Sequence, residues 1–254
     1  IGITCALIPR HVPGIQIGDR HDPMGVPFQN GPIFGDDVFV PVDFIIGGQD
    51  GVGQGWKMLM DSLAAGRSIS LPSLSVAAVE LAARATGAYA TVREQFNLPI
   101  GRFEGIEEPL ARIAGHAYLM NAVRVLTCAA VDAGEKPAVL SAIAKAYLTD
   151  AMRSTVIDAM DIMAGAAICS GPRNILSRIY VSAPIGITVE GANILTRSLI
   201  VFGQGAIRCH PFVLDEMQAV QGGDLRAFDA AFFGHIRHIA KNAARAFALG
   251  LTGG

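Results

Sequence analysis

Charge of one sign is what this sequence has little of: 20 Lys and Arg stand against 22 Asp and Glu, a formal net charge of -2. Without a basic field, and with its cations scattered along the chain, it offers nothing to hold a polyphosphate backbone, which argues against nucleic acid as a partner. Long apolar runs are missing too. Charged residues, Gly or Pro interrupt each one well before the roughly 18 residues that a membrane span needs, although mean hydropathy reaches +0.41. Cysteine is scarce: Cys5, Cys128, Cys169 and Cys209 are far apart and form no CxxC pair. Neither a zinc site nor a disulfide scaffold is indicated, so reduced thiols in a cytoplasmic protein are the expectation. The opening Ile1-Gly2-Ile3-Thr4 lacks an initiator Met, a charged n-region and a cleavage site, and is expected to be cut from a longer polypeptide.

What is present is a core. Hydrophobic residues make up 51% of 254 residues and charged ones 17%, the profile of a compact domain plus a piece of another. Up to about Val42 the chain reads as short β runs, Ile3 to Ile8, Ile15 to Ile17 and Val38 to Val40, between Pro, Gly and Asp clusters. Beyond a Gly-rich stretch from Gly47 to Gly55 the composition turns to Ala, Leu and Met with a helical period. Helices are predicted from Trp56 to Glu94 with a break or kink near Pro72, Ile106 to Asp132, Pro137 to Met163 and Ile187 to Arg208. Asp224 is the expected N-cap of a further helix ending near Leu249. The predicted fold is mainly α: an antiparallel four-helix bundle preceded by the second half of a small β-domain. The expected division is 1–50 (β), 51–210 (bundle) and 211–254 (start of a helical extension).

Several suggestive patterns carry no chemistry. Gly51-Val52-Gly53-Gln54-Gly55 is not GxGxxG, and no βαβ unit with an acidic partner follows it, so it reads as a connector. His235 and His238 share a helix face without a sequence-adjacent set of Glu, Asp or Cys to complete a ligand shell, and are expected to be solvated. Met58, Met60, Met120, Met152, Met160 and Met163 fall at core-like positions. Ser68, Ser70 and Ser73 lie in no nucleophile elbow.

Four segments, in order, resemble the acyl-CoA dehydrogenase family. Gly2 through Arg10, Pro13-Gly14, Met24-Gly25 and Asp37 to Pro41 are similar to the end of its β-domain. Gly53-Gln54-Gly55-Trp56-Lys57, leading to Gly66-Arg67, resembles the opening of its first bundle helix. Arg93-Glu94-Gln95-Phe96 with Pro99-Ile100 is similar to its R-x-Q-F-G-x-P-I segment, with Asn97 where Gly is usual and Glu104 where Gln is usual. Thr188-Val189-Glu190-Gly191-Ala192, followed by Arg197, resembles its Y-E-G-T…R motif, with Val189 and Ala192 in place of Tyr and Thr. Asp161 to Gly165 loosely matches a Q-x-x-G-G segment. Gly171 to Asn174, Gly203 to Pro211 and Phe233 to Arg245 are most similar to the large bacterial fatty-acid β-oxidation branch of the family.

The resemblance implies FAD-dependent conversion of a fatty acyl-CoA to its trans-2-enoyl-CoA. Glu190 would be the catalytic base; Arg67, Gly191 and Arg197 would bind substrate; Arg93, Gln95, Phe96, Ala192 and Gly165 would contact FAD; no metal is implied. A planar guanidinium such as that of Arg93 suits a diphosphate, since it can donate two hydrogen bonds while matching charge. The apolar or small neighbours Ile187, Val189, Ala192 and Ile194 desolvate the Glu190 carboxylate, which suits it to proton abstraction. In the family variant whose base precedes the residue that Arg67 matches, that position is here Gly66, which cannot take a proton. The implied partners are fatty acyl-CoA, an electron-transfer flavoprotein or similar acceptor, and further copies of the chain, in a cytoplasmic protein peripheral at the inner membrane. An acyl-CoA oxidase using oxygen and a non-catalytic helical assembly module are the alternatives.

Overall fold

The first fifty residues form little regular sheet because Pro and Gly punctuate every run. In the computed structural model, the described residues are 2–26, 30–135 and 137–252, with the side chains at 60, 64, 65, 68, 138, 199–202, 204, 206 and 208 outside the description. The core position expected for Met60 and the motif side chains Gln204, Ala206 and Arg208 therefore lie outside it. Strand β1 (Ile15–Ile17) pairs antiparallel with β2 (Ile33–Gly35), Ile17 facing Ile33. The expected strand at Ile3 to Ile8 contributes only an isolated bridge, Ala6 to Ile45, and Val38 to Val40 is irregular. Pro41 follows that last run directly and has no N–H to give a ladder.

The chain divides into two compact units, Ile1–Ile194 and Leu195–Gly254. In the first, α1 (Gly55–Val92) packs on α2 (Glu104–Asp132) and α3 (Ala138–Met163), and α3 also packs on α5 (Ser177–Thr188), which follows the single-turn α4 (Gly165–Ile168). Short links make successive long helices antiparallel. The expected break at Pro72 does not occur: α1 runs through it, with the Pro72 ring buried. A mid-helix proline removes one ladder bond and costs about 3 kcal/mol. Packing of α1 along both other long helices outweighs that local penalty.

Small residues let these helices approach closely. Ala82, Ala142, Ala144, Ala146 and Ala159 have no exposed surface, and one core cluster gathers Val76, Val79, Met120, Leu148, Met152 and Val156. Buried threonines stay satisfied within their own helices. Thr86 Oγ1 donates to Ala82 O and Thr149 Oγ1 to Lys145 O, each at 2.8 Å. Among the described residues, no helix is long and apolar enough to cross a membrane.

Between α1 and α2, strands β3 (Glu94–Gln95) and β4 (Leu98–Pro99) form a hairpin whose two turn residues, Phe96 (φ 52°) and Asn97 (φ 63°), are both left-handed. That is the geometry of a tight two-residue turn, and Asn is the residue after Gly that tolerates it best.

After the three-residue α6 (Asn193–Leu195), a ten-residue π-helical stretch (Thr196–Gly205) and α7 (Ala206–Cys209) precede the pair α8 (Val213–Gly222) and α9 (Leu225–Thr252) in the second unit. Left-handed Gly223 (φ 67°) closes α8, the Asp224 N–H donating back to Ala219 O at 2.9 Å. The Asp224 carboxylate then accepts from Ala227 N at 3.0 Å, the cap expected from sequence. The predicted single helix from Ile187 to Arg208 is instead interrupted at Val189 to Ala192, and α5 was not anticipated. His235 and His238 are half-buried rather than solvated: the His210 ring lies 4.2 Å and 5.3 Å from theirs, and His235 Nδ1 meets Glu216 Oε1 at 2.9 Å. Burial, then the neighbouring His235 and His238, lower the His210 pKa against the pull of Glu216. Among the described residues no group of His, Cys, Asp and Glu could hold a metal.

Where α3 ends, Ala164 adopts φ 48° and ψ −127°, a conformation that only glycine occupies freely. Ala164→Gly is expected to raise the free energy of unfolding by about 1 kcal/mol, relief of strain outweighing the added chain entropy. Urea denaturation checks this; an unchanged or lowered midpoint would show that Ala164 is unstrained.

Candidate active site

Helix α5 stops at Thr188, and two consecutive left-handed residues, Glu190 (φ 54°) and Gly191 (φ 87°), turn the chain before Asn193. The turn is held from below by α3. Lys145, with no exposed surface, donates from Nζ to Ile187 O (3.2 Å), Gly191 O (2.8 Å) and Asn193 Oδ1 (2.8 Å). Asn193, also buried, donates from Nδ2 to Ala146 O (3.1 Å), Thr149 Oγ1 (2.9 Å) and Asp150 Oδ1 (3.1 Å). One face of α3 thus supplies donors and acceptors at 145, 146, 149 and 150, spaced as adjacent turns of a helix.

Arg67 of α1, only 6% exposed, lies near enough for its charge to interact with that of Glu190. Among the described residues, Arg67 Nε, Arg67 Nη1 and Glu190 Oε2 are buried without a hydrogen-bond partner. Native interiors rarely leave such groups unpaired, and each represents about 1–3 kcal/mol of unrecovered desolvation. The Arg67 guanidinium has its pKa lowered by burial, partly offset by the negative charge of Glu190. Lys145 is pulled down to about 8, by burial first and the like charge of Arg67 second, with Glu190 and Asp150 acting in the opposite sense. The result is two buried cations around one carboxylate, with a donor pair and an acceptor left over to receive a polar molecule.

The residues anticipated at a cofactor gather elsewhere in the first unit. Arg93, Gln95, Phe96 and Gly165 line one cavity of about 610 Å³, together with Tyr89, Phe103 and Asp161 among others. Phe96 is 86% exposed and meets Phe103 edge to face, ring centres 6.3 Å apart. Ala192 is not on this cavity; it is exposed in the Glu190 turn. Arg197 belongs to the second unit, exposed in the π-helical stretch. Lys145 and Asn193 were missed from sequence. The available signal was a single lysine inside the otherwise apolar and small run from Ala138 to Tyr147.

Two family models match in tandem: "Acyl-CoA dehydrogenase, C-terminal domain" over residues 53–203, and "Acyl-CoA dehydrogenase, C-terminal, bacterial type" over residues 207–254. The chain belongs to the acyl-CoA dehydrogenase family. Within the curated relatives, it is 61% identical over 87 residues to Protein HemX of Proteus mirabilis, covering 34% of this chain and 51% of that protein. It is 30% identical over 207 residues to the very long-chain specific acyl-CoA dehydrogenase of Mus musculus mitochondria, covering 81% of this chain and 30% of that one. The solved butyryl-CoA dehydrogenase of Megasphaera elsdenii superposes with a TM-score of 0.68 at 26% identity, over 80% of this chain and 51% of that structure. This family member thus spans about half, or less, of the length of these relatives.

The depressed Lys145 pKa has a consequence for stability. Between pH 8 and the ordinary lysine value of 10.5, the unfolded chain binds a proton that the folded chain has released, so this group's contribution to stability rises with pH across that window. Lys145→Gln should shrink the gain in urea midpoint between about pH 7.5 and about pH 9.5. An equal gain in both proteins would place the titration elsewhere.

Proposed function

We propose that this chain carries the catalytic base and part of the cofactor site of a flavin-dependent acyl-CoA dehydrogenase acting in fatty-acid β-oxidation. The observation that carries this reading is that Glu190 Oε2 and Arg67 Nε and Nη1, on side chains whose charges interact, are all buried and unpaired. A carboxylate oxygen with no donor is free to accept the α-proton of an acyl thioester, and buried cations favour the negative charge that develops as it leaves. Gly191, next to it, has no side chain to obstruct a thioester. Arg67 would orient the substrate through the donors that the protein leaves unused.

The cavity at Arg93 fits an extended phosphate-bearing cofactor. The Arg93 side chain is exposed and, among the described residues, paired with no carboxylate, so its fork is available for a diphosphate. Gln95 offers an amide, Phe96 a face for stacking, and Gly165 a wall without a side chain, while Asp161 carries the opposing charge. FAD, when bound, supplies the acceptor for the hydride that leaves the β-carbon. Ala192 has no hydroxyl with which to contact it. Residues 1–50 would then end a β-domain, 51–210 form the helical half-site, and 211–254 begin an extension. Exposed Tyr118, Leu119 and Leu126 on α2 support self-association, and an electron-transfer flavoprotein is the proposed acceptor.

In the parent protein that also carries the rest of the relatives' length, Glu190→Gln is expected to retain FAD and to slow flavin bleaching by acyl-CoA on the order of 1,000-fold, because an amide cannot take the proton. Stopped-flow absorbance measures it. Near-normal bleaching would remove Glu190 as the base.

A further inference from the structure

The conformation of Glu190 needs a cause. A non-glycine residue with φ 54° is disfavoured by about 1–3 kcal/mol and persists only where its surroundings over-determine it. Apolar packing does not supply that on the far side of the turn, since Ala192 and Ile194 are exposed. What brackets Glu190 is one amino group: Lys145 Nζ reaches Ile187 O before it, and Gly191 O and Asn193 Oδ1 after it.

We propose that Lys145 is the positioning residue of this site, its three hydrogen bonds fixing the left-handed Glu190–Gly191 turn and so aiming the Glu190 carboxylate at the space beside Arg67. The inference rests on the reading of Glu190 as the proton acceptor and adds to it a second residue, remote in sequence, on which that acceptor depends. Three acceptors match the three protons of an ammonium, and they tie the chain at residues 187, 191 and 193, before and after Glu190. Asn193 makes the arrangement rigid, because its own amide is tied to three acceptors of α3. Arg67 on α1, Asp150 on α3 and Glu190 itself are the charged groups that act on Lys145.

A purely structural lysine and a positioning one differ in what its loss does to kinetics. Lys145→Met removes every donor while keeping the stem; Lys145→Gln keeps part of the donor set and guards against a methionine variant that does not fold. In the parent protein, either substitution is expected to slow flavin reduction by acyl-CoA roughly 100-fold, the effect of a misplacement near 1 Å, while FAD content and the dissociation constant of a non-oxidisable 3-thia-acyl-CoA stay within about twofold. On a Glu190→Gln background the same substitution should slow reduction no further, because it acts through the group already removed. Amide hydrogen exchange of the chain itself gives a readout without activity: exchange at residues 188–193 should accelerate about tenfold or more, with the core of α3 unchanged. Unchanged exchange there, a reduction rate near that of the wild type, or effects of Lys145 and Glu190 that multiply would each overturn the assignment. Normal reduction by the Glu190→Gln variant alone would instead remove the underlying reading of Glu190, and the two failures are therefore separable.

Discussion

An ammonium group taken wholly out of water must find acceptors for its protons, and the turn that carries Glu190 is what supplies them to Lys145. The rest of the first unit is arranged so that this can happen. Lys145 has no exposed surface, and neither do Ala142, Ala144 and Ala146 beside it on α3. Thr149 and Asn193 then convert the remaining polar groups of that face into a closed network. Removing one partner of such a network leaves the others buried and unpaired, which is costlier than never having had it.

The unused hydrogen-bonding capacity lies one step further out. The structure satisfies Lys145 and Asn193 completely but leaves Arg67 and Glu190 Oε2 incomplete, and in a packed protein that contrast separates the support of a site from the site itself.

Much of this was legible in the sequence where local physics decides the outcome. Helices α2 and α3 fall within two residues of their predicted limits at each end, because long periodic runs leave few alternatives. The Asp224 cap follows from the chemistry of one side chain. Arg93, Gln95, Phe96 and Gly165 were anticipated at a cofactor from resemblance alone, and the fold brings them onto one cavity. The parts that were missed depend on tertiary partners. Pro72 reads as a breaker until packing on two helices compensates for it. Ile33–Gly35 is too short to read as a strand without Ile15–Ile17 beside it. The interruption at Glu190 is invisible to periodicity, because what imposes it is a lysine 45 residues earlier, a separation that only the folded chain closes.

The central claim is that Glu190 can take the α-proton of an acyl thioester held beside Arg67, and proton abstraction can be observed apart from oxidation. The most direct measurement is proton NMR of 3-thia-acyl-CoA in D2O with the parent protein: the sulfur at the β-position prevents hydride loss, so only removal and return of the α-proton can exchange deuterium into the molecule. Catalysed exchange by the wild type, abolished in Glu190→Gln, is the predicted result. Exchange that persists in the variant would assign the proton to another group and contradict the account.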